Sequence, residues 1–401
     1  MPDVNHAIVV AAGRGSRAGA GLPKQFRALA GRPIVSRTLE AFLTRADIAS
    51  VLPVIHQDDQ PIYAEACREL DGVHAGKLLP PVFGGATRQA SVRAGLEALA
   101  QRLGRTSDVI LIHDGARPFA SPALIGRAIA SARRHGAAVP GCPVFDTVKQ
   151  IGEDGRVVGT PDRGALRAVQ TPQAFALDLI VEAHRRAADA GRHDLTDDAA
   201  VAEFAGHDVF VFEGEASNTK ITTSEDLRSA EARLLATLLD VRTGQGFDVH
   251  SFTDGDHVWL GGIRIPHSHA LTGHSDADVV LHALTDAILG AIGDGDIGTH
   301  FPPSEMRWKG ASSDIFLRHA VDCVRHLGGM VAHLNATLVC EAPKVGPHRD
   351  SMRARIADIA GLTIDRVAVT ATTSERLGFT GRREGIAAWG LATVRLPLRL
   401  G

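Results

Sequence analysis

Along the first 230 positions, short β-branched apolar runs alternate with longer stretches whose apolar residues recur at helical spacing. The runs predict strands over residues 7–11, 50–55, 108–112, 137–144 and 207–213. The stretches between them predict helices over 34–43, 61–70, 88–103, 122–135, 176–190 and 197–204, and a further helix over 224–239 closes this half. A β-α-β rhythm of this kind builds a mostly parallel sheet covered by helices on both faces.

The pattern changes near residue 240. Strands are expected at 245–250, 257–260, 263–265, 333–340, 364–372 and 386–396, with helices at 277–289, 312–327 and 345–361 and a short one near Ser374. That reads as an α+β domain. The division predicted is 1–234 for the first domain, a short connector at 235–242, and 243–401 for the second. No repeat or low-complexity tract interrupts either half.

Composition narrows the class. Apolar residues make up 44% of the 401 positions, with 42 glycines, which fits a globular α/β enzyme. A formal net charge of −3 disfavours a generic nucleic-acid binder. The four cysteines, Cys67, Cys142, Cys323 and Cys340, form no CxxC pair, which favours reduced thiols. No apolar run reaches the roughly 20 residues that span a bilayer, and the chain enters a strand without a charged leader. A cytoplasmic location without membrane contact is the expectation.

The second half holds the sharper chemistry. Asp248 and His250 are two apart on a predicted strand, so both side chains leave one face. His282 follows on a predicted helix, with Asp278 and Asp286 one turn away on either side as candidates to orient it, a role that water or backbone fills equally well. One carboxylate and two imidazoles suit a catalytic Zn²⁺ or similar divalent cation, leaving one position for substrate or water.

In the first half, Ala11-Ala12-Gly13-Arg14-Gly15-Ser16-Arg17 follows the first strand, and Lys24 comes shortly after. Glycines let backbone amides approach an anion, although such a turn alone is equally compatible with a purely structural role. It is neither a Walker loop nor a complete dinucleotide fingerprint. Further segments follow in order: Gly84-Gly85-Ala86-Thr87-Arg88-Gln89-Ala90-Ser91, His113-Asp114-Gly115-Ala116-Arg117-Pro118, Phe145-Asp146-Thr147-Val148-Lys149, Gln170-Thr171-Pro172-Gln173, Thr196-Asp197-Asp198-Ala199 and Asn218-Thr219-Lys220.

This colinear series resembles the methylerythritol phosphate cytidylyltransferases, Rossmann-like nucleotidyltransferases, over about the first 230 residues. The resemblance implies that Arg17, Lys24 and Lys220 surround the reacting phosphates of CTP and methylerythritol phosphate, with Mg²⁺ on the triphosphate. It puts Ala11, Ala12, Gly13, Gly84, Gly85, Ser91 and Asp114 at CTP, and Arg117, Thr147, Arg163, Thr171 and Lys220 at the polyol phosphate. Residues 146–163 resemble a projecting β-arm that reaches a dimer partner, so Thr147 and Arg163 would act across that interface. The role of Arg88 stays open.

The second half, with Gly293-Asp294-Gly295-Asp296-Ile297-Gly298, Glu341-Ala342-Pro343-Lys344 and the stretch from Thr370 to Arg382, resembles the methylerythritol cyclodiphosphate synthases over nearly all of 243–398. That resemblance implies a metal set of Asp248, His250 and His282 and a second cation, Mg²⁺, held through Glu375. It implies substrate contacts from His274, Ser275, Asp296, Ala342, Pro343, Lys344, Thr372, Thr373, Phe379 and Arg382. It also implies a trimer with sites between subunits, so Lys344, Thr372, Thr373 and Glu375 would serve a neighbour's zinc. Pro303 and Ser312 stand where the family commonly has acidic residues, which bears on the shape of the substrate loop.

Together the halves imply two non-consecutive steps of non-mevalonate isoprenoid synthesis. The kinase for the step between has no motif here and is a possible partner. A dimer-forming half fused to a trimer-forming half implies a larger homo-oligomer. Rival readings are a cytidylyltransferase for another polyol phosphate, such as ribitol phosphate, or one half retained as a silent scaffold.

Overall fold

The computed structural model describes residues 4–14, 22–74, 76–104, 108–302 and 304–398. Arg17 and Pro303 lie outside the described residues. The chain forms two compact units that divide between Glu231 and Ala232. The helix Ser224–Thr237 crosses that division, and the next strand starts at Asp240. The segment expected as a connector, 235–242, is therefore largely helix end and strand start.

In the first unit, an eight-stranded sheet is centred on Asn5–Ala11, which pairs in parallel with Ile48–Ile55 on one side and Val109–Asp114 on the other. All six residues of Val109–Asp114 are buried, as expected where helices cover both faces. Two short strands not anticipated from the pattern, Arg167–Val169 and Gln173–Ala176, run antiparallel. Gln173–Ala176 is wedged between Val109–Asp114 and Ala137–Pro143, so pairing on both sides rather than its own four-residue pattern makes it a strand. A small antiparallel hairpin, Gln150–Ile151 with Val157–Gly159, forms the expected arm. Phe145, Ile151, Val157 and Val158 on or beside it are more than half exposed.

In the second unit, a five-stranded sheet takes the order His269–Leu271, Asp240–Asp254, Gly385–Leu396, Met330–Val339 and Val367–Thr372. Only the last pair is parallel. Asp240–Asp254 extends well beyond the 245–250 anticipated because Gly385–Leu396 pairs with it over almost its whole length. Against these two strands lies Val279–Ile292, a helix apolar on every side and correspondingly buried.

Glycine makes that packing possible. A Cβ on Gly244 or Gly246 would lie 2.1 Å from the carbonyl oxygen of Ala287 or Ala283, and one on Gly390 would lie 2.3 Å from Ala283 O. The helix answers with alanines at 283, 287 and 291. Strand alternation gives Asp248 and His250 the same face as Gly244 and Gly246, so the close approach also sets their distance from His282.

Candidate functional sites in the two units

The first-unit site is a cavity of about 820 Å³ lined by Ala11, Ala12, Gly13, Lys24, Gly84, Gly85, Ser91, Asp114 and Lys220, among others. The loop after the first strand is tied down by Gln25, whose buried amide donates to the carbonyls of Ala11 (2.7 Å) and Gly13 (3.0 Å). Sequence reasoning passed over Gln25; its place beside Lys24 was the available signal. Gly84 cannot carry a side chain, since a Cβ would meet both Ala12 Cβ and Ser91 Oγ at 2.6 Å. The Ser91 hydroxyl accepts from Gly85 N–H (3.1 Å) and donates to Thr87 O (2.9 Å), so it braces the Gly84–Gly85 turn.

Asp114 ends its strand inside this cavity. Lys220 Nζ lies 2.8 Å from Oδ2, Arg88 Nε 3.2 Å from Oδ1 and Arg117 Nε 3.5 Å from Oδ2. Burial opposes ionisation of Asp114, but Arg88, Lys220 and Arg117 outweigh it and hold the carboxyl well below the usual carboxylate range. Arg88 also pairs with buried Asp198 at 2.9 Å, which gives this residue, whose role the sequence left open, two anionic partners. Its guanidinium loses solvation on burial, yet Asp198 and Asp114 leave it more firmly protonated than usual.

Thr171 and Arg117 sit behind this carboxylate and do not line the cavity. The buried Thr171 hydroxyl accepts from Asp114 N–H (3.1 Å) and bonds His113 Nδ1 (3.0 Å). Arg117 donates to Asn218 O (2.8 Å), and Asn218 Nδ2 to Thr171 O (2.7 Å), which positions the segment carrying Lys220. Burial pushes His113 down to about 4. Thr147 and Arg163 are exposed on the arm, away from the cavity, with Arg163 bonded to Phe145 O at 2.8 Å.

In the second unit three donor atoms converge. Asp248 Oδ2 lies 2.9 Å from His282 Nδ1 and 3.0 Å from His250 Nε2, and the two ring nitrogens are 3.2 Å apart. The partners of His282 decide its tautomer. Ser313 donates its hydroxyl proton to Asp276, so its oxygen, 2.9 Å from His282 Nε2, accepts that N–H. With the ring neutral, the Nδ1 lone pair is turned towards the Asp248 carboxylate, the arrangement in which both can share one cation. Four-coordinate zinc separates nitrogen and oxygen ligands by about 3.3 Å, close to the spacing found, so these residues fit the group.

Asp278 and Asp286 do not touch His282 through their side chains. Asp278 caps the helix and accepts from Gly261, Gly262, Val280 and Leu281 N–H groups, while Asp286 accepts from Ile297 N–H at 2.8 Å. The orienting role falls to Ser313, with Ser275 Oγ also 3.1 Å from Nε2.

The remaining expected residues form two groups. His274, Ser275 and Asp296 lie on loops flanking the metal helix; Asp296 accepts from Thr299 N–H and Oγ1, both at 2.8 Å. Ala342, Pro343 and Lys344 follow Met330–Val339, while Thr372 ends Val367–Thr372 and Thr373 and Glu375 follow it. Thr373 Oγ1 donates to Glu375 at 2.9 Å, and Arg376 N–H to Glu341 at 3.1 Å. Phe379 is partly exposed, and Arg382 pairs with Glu384 at 2.9 Å. Thr372 ends three strands across the sheet from His250, about 14 Å at normal strand spacing, so a single chain does not join this group to the metal set.

A large glycine-lined cavity with a lysine held on a carboxylate, and a separate three-donor cation site, define a two-domain enzyme acting on phosphorylated substrates. The profile of the 2-C-methyl-D-erythritol 4-phosphate cytidylyltransferase family matches residues 5–236, and that of the YgbB family residues 241–395. A protein of Rhodopseudomonas palustris (strain HaA2), named Bifunctional enzyme IspD/IspF, is 59% identical over 396 residues, covering 99% of this chain and 96% of its own. One of the same name from Nitrobacter winogradskyi is 59% identical over 391 residues, 98% of this chain and 96% of its own. The solved 4-diphosphocytidyl-2C-methyl-D-erythritol synthase of Anaerococcus prevotii is 34% identical with a TM-score of 0.50, covering 58% of this chain and 96% of that one.

The chain belongs to the family of bifunctional IspD/IspF enzymes. It is a divalent-metal-dependent enzyme of isoprenoid-precursor synthesis, with a cytidylyltransferase half and a cyclodiphosphate synthase half. Among the described residues, no helix is long and apolar enough to cross a membrane.

Proposed function

We propose that the first-unit cavity binds CTP with Mg²⁺ and sets it against 2-C-methyl-D-erythritol 4-phosphate. The backbone of Ala11, Ala12 and Gly13 and the Gly84–Gly85 turn braced by Ser91 receive the nucleotide. Lys24, Lys220 and Arg17 offset the repulsion between two polyanions as a phosphate oxygen attacks the α-phosphorus and diphosphate leaves. The nucleophile is already anionic at neutral pH, so no general base is required. Asp114 holds Lys220 and faces the ribose and cation, while Thr171 and Arg117 act through it and through the Lys220 segment; Thr147 and Arg163 reach a partner subunit's cavity. The observation that carries this reading is Lys220 Nζ held 2.8 Å from Asp114 within the glycine-lined cavity.

Asp248, His250 and His282 hold Zn²⁺, which when bound polarises substrate phosphate oxygens. Their convergence within 3.2 Å carries the second reading. The 2-phosphate of 4-diphosphocytidyl-2-C-methyl-D-erythritol 2-phosphate attacks the β-phosphorus of the same molecule, closing the ring and expelling CMP. His274 and Ser275 orient the diol phosphate, and Asp296 takes the ribose. Ala342, Pro343 and Lys344 take cytosine; Thr372, Thr373 and Glu375, the last with Mg²⁺, take the diphosphate, with Phe379 and Arg382 alongside. Holding both ends of a flexible substrate removes much of the entropic barrier.

The 14 Å gap between the Thr372 group and His250 supports sites shared between neighbouring subunits of a cytoplasmic homo-oligomer. So do exposed Phe247, Val249, Trp389 and Leu391 on the sheet face opposite the metal set, and the apolar arm. The intermediate kinase is a candidate companion. The test is separate turnover of each half: Lys24→Ala is expected to abolish cytidylyl transfer and spare the cyclase, and His282→Ala the reverse. Unchanged rates in either would overturn that half's assignment. Mass spectrometry of products from methylerythritol phosphate and ribitol phosphate decides the polyol.

A further inference from the structure

Among the described residues, a second group of side chains brings one donor atom each within 4.8 Å of the others: His300, His319 and Cys323. None of them belongs to the Asp248, His250 and His282 set. His319 and Cys323 are four apart on the helix Asp314–His326 and so share a face. His300 ends the short helix Ile297–His300, which follows the Asp294–Asp296 loop.

The hydrogen bonds define the protons here as well. His300 Nε2 lies 2.8 Å from the carbonyl oxygen of Asp294, which can only accept, so Nε2 carries a proton and, in the neutral ring, Nδ1 keeps its lone pair. That lone pair faces His319 Nε2 at 3.0 Å, and the same nitrogen lies 3.5 Å from Cys323 Sγ. Without an ion, His319 Nε2–H serves His300 and the Cys323 thiol turns its own proton to the Asp294 carboxylate; once the thiol is deprotonated, a single cation takes all three donors. Tetrahedral zinc sets nitrogen ligands about 3.3 Å apart and nitrogen and sulfur about 3.6 Å apart, close to both spacings. A ligating imidazole that gives its other N–H to a carbonyl is the support metal sites ordinarily require. All three residues are partly buried, and the Phe301 ring stands edge-on to His319 at 5.0 Å. Burial, and then the Asp294 carboxylate that accepts from the S–H, push the Cys323 thiol up; with the thiol deprotonated on an ion, that carboxylate is released as a fourth donor.

We propose that His300, His319 and Cys323 form a second metal site for a thiolate-favouring divalent cation of the zinc class, distinct from the catalytic site. Bound there, the ion joins the 293–301 loop, which carries Asp296, to the helix 314–326, whose start carries Ser313 at His282. Thiolate and imidazole donors select zinc over magnesium, so this site does not compete for the cation that accompanies the nucleotide.

Cobalt tests this directly, because only a thiolate ligand gives a near-ultraviolet charge-transfer band and the Asp248, His250 and His282 set contains no sulfur. The full-length chain, stripped with a chelator and titrated with Co²⁺, is expected to develop that band over one equivalent and to hold two ions per chain by elemental analysis. His282→Ala is expected to keep the band and lose the other ion. Cys323→Ser and His319→Gln are each expected to lose the band and one ion while keeping the other. Zinc is also expected to protect Cys323 of the unmodified chain from alkylation, read by peptide mass spectrometry, which needs no variant to fold. Absence of the band in the unmodified chain, its survival in Cys323→Ser, or unchanged alkylation with zinc would each overturn the proposal.

Discussion

Replacing Gly246 by alanine tests whether backbone packing sets the catalytic metal geometry. The added Cβ would stand 2.1 Å from Ala283 O, 2.8 Å from Ala287 N and 2.9 Å from Asp286 Cβ. Two of these are backbone atoms of a buried helix and cannot rotate away. Relieving the contact to about 3.2 Å requires the helix and strand to separate by about 1 Å, and forced overpacking of this kind costs about 1–3 kcal/mol. His282 rides on that helix, whereas Asp248 lies two residues from the substitution on the strand. Metal sites tolerate ligand displacements of about 0.2 Å, so a shift of this size removes His282 from the set. Zinc affinity is then expected to fall at least about 100-fold, as far as losing a ligand's supporting partner at its most costly. Competition with a chromophoric chelator measures it, with cyclase turnover falling in parallel and cytidylyl transfer as the internal control. Gly290→Ala, exposed on the same helix with its nearest neighbour 3.9 Å away, should retain affinity and gain up to about 1 kcal/mol in stability. Unchanged zinc affinity in Gly246→Ala would refute the reasoning.

Other expectations follow from the same geometry. Ser313→Ala removes the acceptor that holds the His282 tautomer and should weaken metal binding about 10–100-fold in the same chelator assay, towards the lower end because Ser275 Oγ is also near. Asp114→Asn leaves the cations around it without their shared anion; thermal unfolding of the first unit should show a loss of roughly 3 kcal/mol, with cytidylyl transfer abolished and cyclase retained. Because burial lowers the folded pKa of His113 to about 4, its contribution to stability is full above the unfolded value near 6.5 and is lost as pH falls from there to about 4. That amounts to about 3 kcal/mol, and an imidazole NMR titration that stays flat down to about pH 5 would bear it out.

Much of this was written in local pattern. The alternation of β-rich runs and helical stretches marked the parallel core strands, because a strand covered on both faces must be apolar throughout. The two-residue spacing of Asp248 and His250 placed both on one strand face, and His282 stood out as an imidazole on an otherwise apolar helix. Residues 173–176 carried no comparable signal: four residues become a strand only because two others flank them. Helix proximity misled for Asp278 and Asp286: both carboxylates took backbone N–H groups instead of His282, Asp278 at its own helix start and at Gly261 and Gly262, Asp286 at Ile297.

The residue types and their order determined the two-domain class, the chemistry of both sites and the identity of nearly every ligand candidate, because those depend on periodicity and on donor atoms a residue carries wherever it lies. Tertiary structure alone decided that Ser313, 31 residues from His282, fixes its tautomer, that Thr171 lies behind Asp114, that Arg88 joins two buried carboxylates, and that His300 meets His319 and Cys323. These contacts link distant segments, and their distances are set by how closely backbones approach.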